Sequence, residues 1–353
     1  MLSLSQRIRA FEQLRTFLND FVIVWHKDRA YPTDKRFTEL NAAIRKAIAT
    51  NTWYTEVSIM ESFSGIVELL SPQFFLSWIN GYKTFPITQK RVGVVMAGNI
   101  PMVGFHDFLC VLMSGHNFLG KLSSEDPWLL PVLADEIVKF DSDFSGKISF
   151  TTERLSGFDA IIATGSDNSA RYFDYYFGKY PNIIRSNRNS LAILDGNDDI
   201  ADIQKLAIDI FSFFGLGCRS VSNVFLPPGY DPTILFEGFK QFEDMKNHHK
   251  YFNNYEYNKA ILMVNGDKYY DNGFLILKEE AQLSSPVAVL HYQFYYDKAH
   301  LSTLIDSNKS KIQCIVSKDA SWPNSVNFGE AQRPRIHDYA DNIDTMEFLL
   351  KLK

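Results

Sequence analysis

Between residues 90 and 195 the chain alternates short apolar runs with longer amphipathic ones, and that alternation restricts the available folds more than any other feature. The run "RVGVVMAGN" (91–99) reads as a buried strand ending in Gly-Asn. The stretch "IPMVGFHDFLCVLMSG" (100–115) follows with Pro101 in its first turn and Gly115 at its close, as a helix would. "HNFLGKLSS", the helical "DPWLLPVLADEIVKF", and "GFDAIIATG" running into "SDNSARYFDYYFGKY" repeat the pattern, and "NSLAILDG" adds one more apolar run. Such βαβ repetition predicts an α/β fold with a doubly wound, mostly parallel sheet. Ligands of sheets of this kind sit at the carboxyl ends of the strands.

Two strand ends carry residues suited to a dinucleotide. Gly165 and Ser166 in "ATGSDNSAR" (163–171) fall between a strand and a helix, where free main-chain N–H groups and the helix dipole attract an anion. Gly and Ser serve equally well in any strand-to-helix turn, so the pair has two readings. Lys121, Ser123 and Ser124 in "GKLSSED" (120–126) are suited to holding ribose or phosphate, or to capping the next helix. Asn99, just before a Pro-started helix, is a good turn former by itself.

Composition removes several classes of function. A net charge of −5, with Lys and Arg spread along the chain, leaves no basic patch for nucleic acid. Three cysteines without a CxxC pair or a His/Cys cluster of zinc spacing exclude a disulfide framework and give no metal site. They fit a reducing compartment. The opening "MLSLSQRIRAFEQLRTFLND" spaces Leu4, Ile8, Phe11, Leu14 and Leu18 as an amphipathic surface helix, without the apolar core of a signal peptide. The most apolar region, 92–119, is interrupted by Asn99, Pro101, His106, Asp107 and His116, so no membrane span is expected and a soluble cytoplasmic protein is. At 353 residues two domains are expected, with the polar, aromatic stretch 231–259 as a surface excursion.

One cysteine stands apart. "DIQKLAIDIFSFFG" repeats Ile203, Leu206, Ala207, Ile210, Phe211 and Phe214 at helical spacing and stops at Gly215, so Cys218 in "FFGLGCRSVSNVFLP" (213–227) falls on an exposed corner before a strand. Cys110, on an apolar helix face, and Cys314, inside "IQCIVS", read as small core residues. A thiolate nucleophile needs a lowered pKa or a neighbouring base, and no histidine stands beside Cys218 in sequence.

"VMAGNIP", "GKLSSED", "ATGSDNSAR", "FGLGCRSVSNVFLP", "LKEEAQLSSPVAVLHY" and "VNFGEAQRPRIHDYA", in that order, resemble the ordered motifs of the aldehyde dehydrogenase superfamily. They are closest to its fatty acyl-CoA reductase branch, the LuxC-type enzymes, over roughly residues 85–353. The resemblance implies a helical region over 1–84 packing on the cofactor domain, a Rossmann-type dinucleotide domain over 85–195 and an α/β catalytic domain over 196–325. A segment over 326–353 would complete the fold or an oligomer interface. It further implies Cys218 as nucleophile, with Asn99 and the main-chain N–H of Cys218 as the oxyanion hole. Lys121 would hold the adenosine ribose, Ser166 the pyrophosphate and Glu280 the nicotinamide ribose, although "EEAQLSSPV" is one residue longer than the usual spacing.

Where hydrolytic aldehyde dehydrogenases keep a general-base glutamate before the strand "SLAIL", this chain reads "RSNRN", with Arg185 nearest that position. A missing water activator fits exchange with coenzyme A rather than hydrolysis. The expectation is therefore reduction of an acyl-CoA, of fatty type, to the aldehyde through a Cys-bound thioester. The cofactor expected is NADPH, with NADH as the alternative, because Ser124 stands where NAD-preferring relatives carry a glutamate. A cysteine acyltransferase or thioesterase without nicotinamide, or a non-catalytic subunit of a fatty-acid-reducing complex, remains open, as does a homo-oligomer or an acyl-transferring partner enzyme.

Overall fold

The alternating segment forms the parallel sheet expected of it, in a computed structural model that describes residues 2–83, 88–165 and 167–352. The chain divides into two units, residues 1–186 with 334–353, and residues 187–333.

In the first unit, helices α1 (Leu4–Asp28), α2 (Thr38–Thr50), α3 (Glu56–Leu69) and α4 (Pro72–Asn80) precede the sheet. Strands β1 (Arg91–Val95), β2 (Asn117–Lys121), β3 (Ile148–Thr151), β4 (Ala160–Thr164) and β5 (Asn182–Arg185) pair in the order β3-β2-β1-β4-β5. Every neighbouring pair is parallel. Helices α5 (Phe105–Ser114), α6 (Leu129–Phe140) and α7 (Asp167–Phe177) make the crossovers. The order reverses between β1 and β4, which puts the ligand-accepting switch point at their carboxyl ends.

The amphipathic spacing of α1 decides how the helical region attaches. A capping box between Ser3 and Gln6 starts the helix. Its Phe11, Leu14, Leu18, Phe21 and Trp25 are buried, while Arg9, Gln13 and Thr16 face solvent. Phe11 meets Phe108 of α5 edge-on at 6.1 Å, and Phe108 meets Phe118 of β2 at 5.0 Å, so one core joins helical region and sheet. Fully burying each such ring contributes about 1.5–3 kcal/mol.

Helix α5 begins at Phe105, not at residue 100. Residues 101–104 form turns, with Met102 left-handed at φ 64°. The Pro101 carbonyl accepts from Ser62 Oγ at 3.2 Å, which holds the proline outside the helix. Gly115 caps α5 at φ 91° as expected.

The second unit holds β6 (Asn189–Ile193), β7 (Val221–Leu226), β8 (Tyr270–Asp271), β9 (Ile276–Glu279), β10 (Val289–Phe294) and β11 (Ile312–Ser317). Their order is β11-β6-β7-β10-β9-β8, parallel except at the β8/β9 edge. Helices α8 (Ile200–Phe211), α9 (Leu235–Phe239), α10 (His249–Asn265) and α11 (Lys298–Asn308) flank it. The run "SLAIL" finds ladder partners in β7 and β11, so the boundary falls at 186/187 rather than 195/196. Residues 231–259 are more than a surface excursion: Leu235, Phe239, Tyr251 and Tyr255 are buried there.

The segment expected as one piece over 326–353 is split. Residues 326–333 stay in the second unit, and 334–353, with α12 (Thr345–Leu350), return to the first. There His106 Nε2 meets the Ile336 carbonyl at 2.8 Å, His116 Nε2 meets that of Leu349 at 2.9 Å, and Trp78 Nε1 donates to Tyr339 Oη at 2.7 Å. Among the described residues no helix is long and apolar enough to cross a membrane.

Candidate functional site

The carboxyl end of β1 is held from the helical region. Asn51 Nδ2 and Tyr54 Oη both donate to the Gly98 carbonyl, at 2.9 and 3.0 Å, and so occupy both of its lone pairs. Two bonds on one carbonyl fix the peptide that leads into Asn99, whose side chain is exposed beyond it. Burial, followed by the charges of Asp126 and Glu125, raises the Tyr54 phenol far above its ordinary pKa, so it stays a donor. Gly98 permits the close approach: a Cβ there would lie 2.5 Å from Ser123 Oγ.

The residues after β2 divide in role. Lys121 Nζ donates to the carbonyls of Thr152 and Glu153 at 3.0 and 3.1 Å, tying the ends of β2 and β3 together. Ser123 Oγ accepts from Glu125 N at 3.2 Å, a turn-capping bond, while Ser124 is exposed at the turn's tip. After β4, Gly165 N donates to the Arg185 carbonyl at 3.3 Å, and a Cβ on Gly165 would lie 2.7 Å from Ser169 Cβ. Ser166 lies outside the described residues. Asn99, Lys121, Ser123, Ser124 and Gly165 thus all occupy carboxyl ends of one parallel sheet.

Arg185 is buried. Its Nη1 and Nη2 bind the two carboxylate oxygens of Asp107 at 2.6 and 3.0 Å, and Nη2 also donates to Thr345 Oγ1 at 2.8 Å. A guanidinium so paired is neither a water activator nor a surface cation for phosphates. His106 beside it has its ring nitrogen on a main-chain carbonyl, the structural role usual for a helical histidine.

In the second unit the approach to Cys218 departs from the expected helix. Helix α8 ends at Phe211, and Phe213, Phe214 and Gly215 are all left-handed, at φ 53°, 58° and 74°. A left-handed non-glycine residue costs about 1–2 kcal/mol, so this corner is strained and held by its surroundings. Phe214 lies against the His248 ring at 4.2 Å and that of Tyr251 at 6.2 Å. The chain then makes a tight turn closed by Ser220 N donating to the Gly217 carbonyl at 2.9 Å. Cys218 is its second residue and is exposed, whereas Cys110 and Cys314 are buried.

Two elements hold that turn, and a third holds one of them. Ser190 Oγ, at the start of β6, donates to the Cys218 carbonyl at 2.9 Å. Arg219 Nε donates to the Ala331 carbonyl, and Gln332 Nε2 donates to Ser220 Oγ at 3.1 Å. Asp209 of α8 accepts from Gly329 N at 2.6 Å and Ala331 N at 2.8 Å. Sequence reasoning missed Asp209, Ser190 and Gln332, as it missed Asn51 and Tyr54, because each acts across long separations that periodicity does not record.

Glu280 lines an open concavity of about 780 Å³ at the carboxyl ends of β7, β9 and β10, with Gly229, Lys278, Phe294 and Tyr296. Burial opposes its ionisation, but main-chain N–H groups and Lys278 outweigh it and hold the carboxyl below its usual range. Its loop is pinned by Asn223 Nδ2 on the Gln282 carbonyl at 3.0 Å and Ser222 Oγ on that of Leu283 at 2.8 Å. Among the described residues no group of three His, Cys, Asp or Glu side chains is placed to hold a metal ion.

A dinucleotide fits the first unit on two grounds. The glycines at 98 and 165 keep the strand ends closely packed beside the switch point, and Ser124, three residues after Lys121, is exposed. Both features sit where an open parallel sheet receives its ligand.

The family model for acyl-CoA reductase (LuxC) matches residues 67–237 of this chain. A long-chain acyl-protein thioester reductase of Aliivibrio fischeri is 24% identical over 170 residues, which are 44% of this chain and 36% of that protein. The chain therefore matches about a third of the length of this curated relative. Among solved structures, aldehyde dehydrogenase 21 from Physcomitrella patens, in complex with the reaction product succinate, aligns with a TM-score of 0.66 at 14% identity, over 99% of this chain and 84% of that one. A Mycobacterium tuberculosis aldehyde dehydrogenase complexed with NAD+ aligns with a TM-score of 0.62 at 12% identity, over 90% of this chain and 73% of that one. An E. coli NADP-dependent enzyme gives 0.62 at 12% identity, over 94% and 76%. At these identities the fold is what is shared.

Proposed function

We propose that this chain, whose residues 67–237 belong to the LuxC family of acyl-CoA reductases and whose fold is that of the aldehyde dehydrogenases, releases an aldehyde from an acyl thioester through a covalent bond to Cys218. The observation that carries the reading is the exposed Cys218 in a turn held by Ser190 and by the segment 331–332, while the other two cysteines are buried.

The Cys218 thiolate attacks the thioester carbonyl, the bond to the departing thiol breaks, and the acyl group stays on sulfur. Asn99 and the Cys218 N–H are assigned as donors to the oxyanion. A reduced nicotinamide, when bound, supplies the hydride that turns the acyl-enzyme into aldehyde and frees the thiolate. Lys121, Ser123, Ser124, Gly165, Ser166 and Glu280 are assigned to its binding, and NADPH is the cofactor proposed. Water is a poor competitor because Arg185, which cannot act as a base, stands nearest the usual base position, and the carboxylate beside it, Asp107, is buried and held in that ion pair.

The donor proposed is a fatty acyl-CoA. The curated relative is named for an acyl-protein thioester, and an exposed nucleophile admits that donor too, so the test carries both. Purified protein is mixed with radiolabelled acyl-CoA, or with acyl groups on a carrier protein, first without and then with NADPH. Label should enter the wild type as a thioester and leave as aldehyde on adding NADPH, whereas Cys218→Ala should bind NADPH and take up no label. Retention of more than a few per cent of turnover in Cys218→Ala rules out the covalent route.

A further inference from the structure

We infer that Asp209 is a positioning residue for the nucleophile turn, acting through the segment 329–332, which ties the turn down at Arg219 and Ser220 directly after Cys218. The inference rests on the catalytic reading of Cys218.

Asp209 sits on the last turn of α8 with no exposed surface. A carboxylate in such a place is costly unless its lone pairs are filled. It fills them from main-chain donors: Oδ2 accepts from Gly329 N and Oδ1 from Ala331 N, at 2.6 and 2.8 Å. The two bonds differ in sequence by 120 and 122 residues, so they fix a remote loop onto the helix that precedes the nucleophile. Gly329 is left-handed at φ 85°, a conformation that favours glycine and lets the loop present its N–H to Asp209.

The clamped loop holds the two residues that follow Cys218 in the turn, and through Ser220 it reaches Gly217 before it. The Ala331 carbonyl takes the Arg219 Nε–H, and Gln332 Nε2 donates to Ser220 Oγ, which itself accepts from Gly217 N at 3.3 Å. The same residue, Ala331, therefore gives its N–H to Asp209 and its carbonyl to Arg219. Releasing it from Asp209 frees the surface on which Arg219 rests. The strained run 213–215 supplies a reason for the clamp, since a corner in unfavourable backbone geometry relaxes when its ties are cut.

Charge adds a readout. Burial raises the Asp209 carboxyl to about 7, against the two main-chain bonds and the Arg219 charge, which favour ionisation; Glu330, on the clamped loop, opposes it. Lys205, one turn earlier on α8, passes Gly329 with its Cβ and main-chain oxygen, while its ammonium is exposed at 4.0 Å from Asp202. On protonation one oxygen becomes a donor and one of the two loop bonds is lost.

The test is iodoacetamide alkylation of Cys218, followed on its own peptide by mass spectrometry from pH 5.5 to 9, with Cys218→Ala as blank. Wild type should show an inflection near pH 7 besides the thiol's own titration, and Asp209→Asn should lack it. Asp209→Asn should lower reductive turnover about tenfold, the scale of one lost charge-assisted bond, with the Kd for NADPH unchanged. Arg219→Gln should lower turnover similarly, and it decides the matter if Asp209→Asn fails to fold. A folded Asp209→Asn with wild-type turnover and an unchanged alkylation profile overturns the inference. Turnover surviving in Cys218→Ala would instead overturn the catalytic reading, and the alkylation profiles would still judge Asp209.

Discussion

Replacing Asp107 with leucine should destabilise the first unit by about 3–5 kcal/mol, the usual result of stranding one member of a buried ion pair. The size follows from what remains around Arg185. The substitution removes the acceptors at 2.6 and 3.0 Å and leaves, among the described residues, the Thr345 hydroxyl at 2.8 Å and the weaker influence of the Asp341 charge. Among the described residues Arg185 Nε is already buried without a hydrogen-bond partner, so no second site there takes up the lost donors. The guanidinium is 5% exposed, too little for water to replace the carboxylate. Each stranded donor contributes about 1–3 kcal/mol, and the unpaired charge brings the sum into the stated range. Equilibrium urea unfolding followed by tryptophan fluorescence suits this chain, because Trp25, Trp53, Trp78 and Trp128 lie in the first unit and only Trp322 lies in the second. With a urea slope of about 2–3 kcal/mol/M, the midpoint should fall by about 1–2 M. The double variant Asp107→Leu/Arg185→Met removes both charges and should recover most of that loss, since an apolar pair of similar volume is often as stable as a buried salt bridge. A single-variant shift below about 0.3 M, a stability change well under 1 kcal/mol, would show that Arg185 reaches water and refute the reasoning.

Asn99→Ala should lower aldehyde formation by roughly 10²–10³ with the thermal melt unchanged, the effect of deleting one oxyanion donor, and an active variant would return Asn99 to a turn former. Ser124→Glu should swing the ratio of kcat/KM from NADPH toward NADH, because a carboxylate at that exposed tip repels a 2′-phosphate; a wild type that already prefers NADH would sink the idea. His106 and His116 each place Nε2 on a main-chain carbonyl, and burial depresses both pKa values. The folded-state value then lies below the unfolded one, so the unfolded chain takes up protons first and stability is lost as pH falls below about 6.5. His106→Gln should flatten the fall in urea midpoint between pH 7.5 and 5.5, and an unchanged slope would count against it.

What the sequence disclosed was what local pattern can carry. The strands β1, β2 and β4, the glycine cap of α5 and the buried Cys110 and Cys314 follow from periodicity and turn chemistry. The place of β6 did not, because "SLAIL" reads the same in either sheet and only its partners β7 and β11 decide. Helix α8 was drawn too long because Phe214 keeps the apolar spacing after the backbone has turned left-handed. Arg185 read as the residue nearest a catalytic position, and its burial depends on Asp107, 78 positions earlier. Motif order brought forward Cys218 and Asn99, but the ties that hold them run from Asp209, Ser190, Asn51 and Tyr54, whose types and spacing carry no local sign of the role.

The return of residues 334–353 to the first unit sets a schedule for synthesis. Met346 and Leu349 belong to the first unit's core, and Thr345 completes the shell of Arg185, so the five-stranded sheet waits for a segment made after the whole second unit. At about 5–20 residues per second the ribosome takes on the order of ten seconds to cross the intervening stretch. Throughout that time the first unit lacks its last segment, and at its end the second unit has all its residues while the first still does not. The nascent first unit would therefore expose the apolar face of α5 to chaperones for longer than its place at the start of the chain implies.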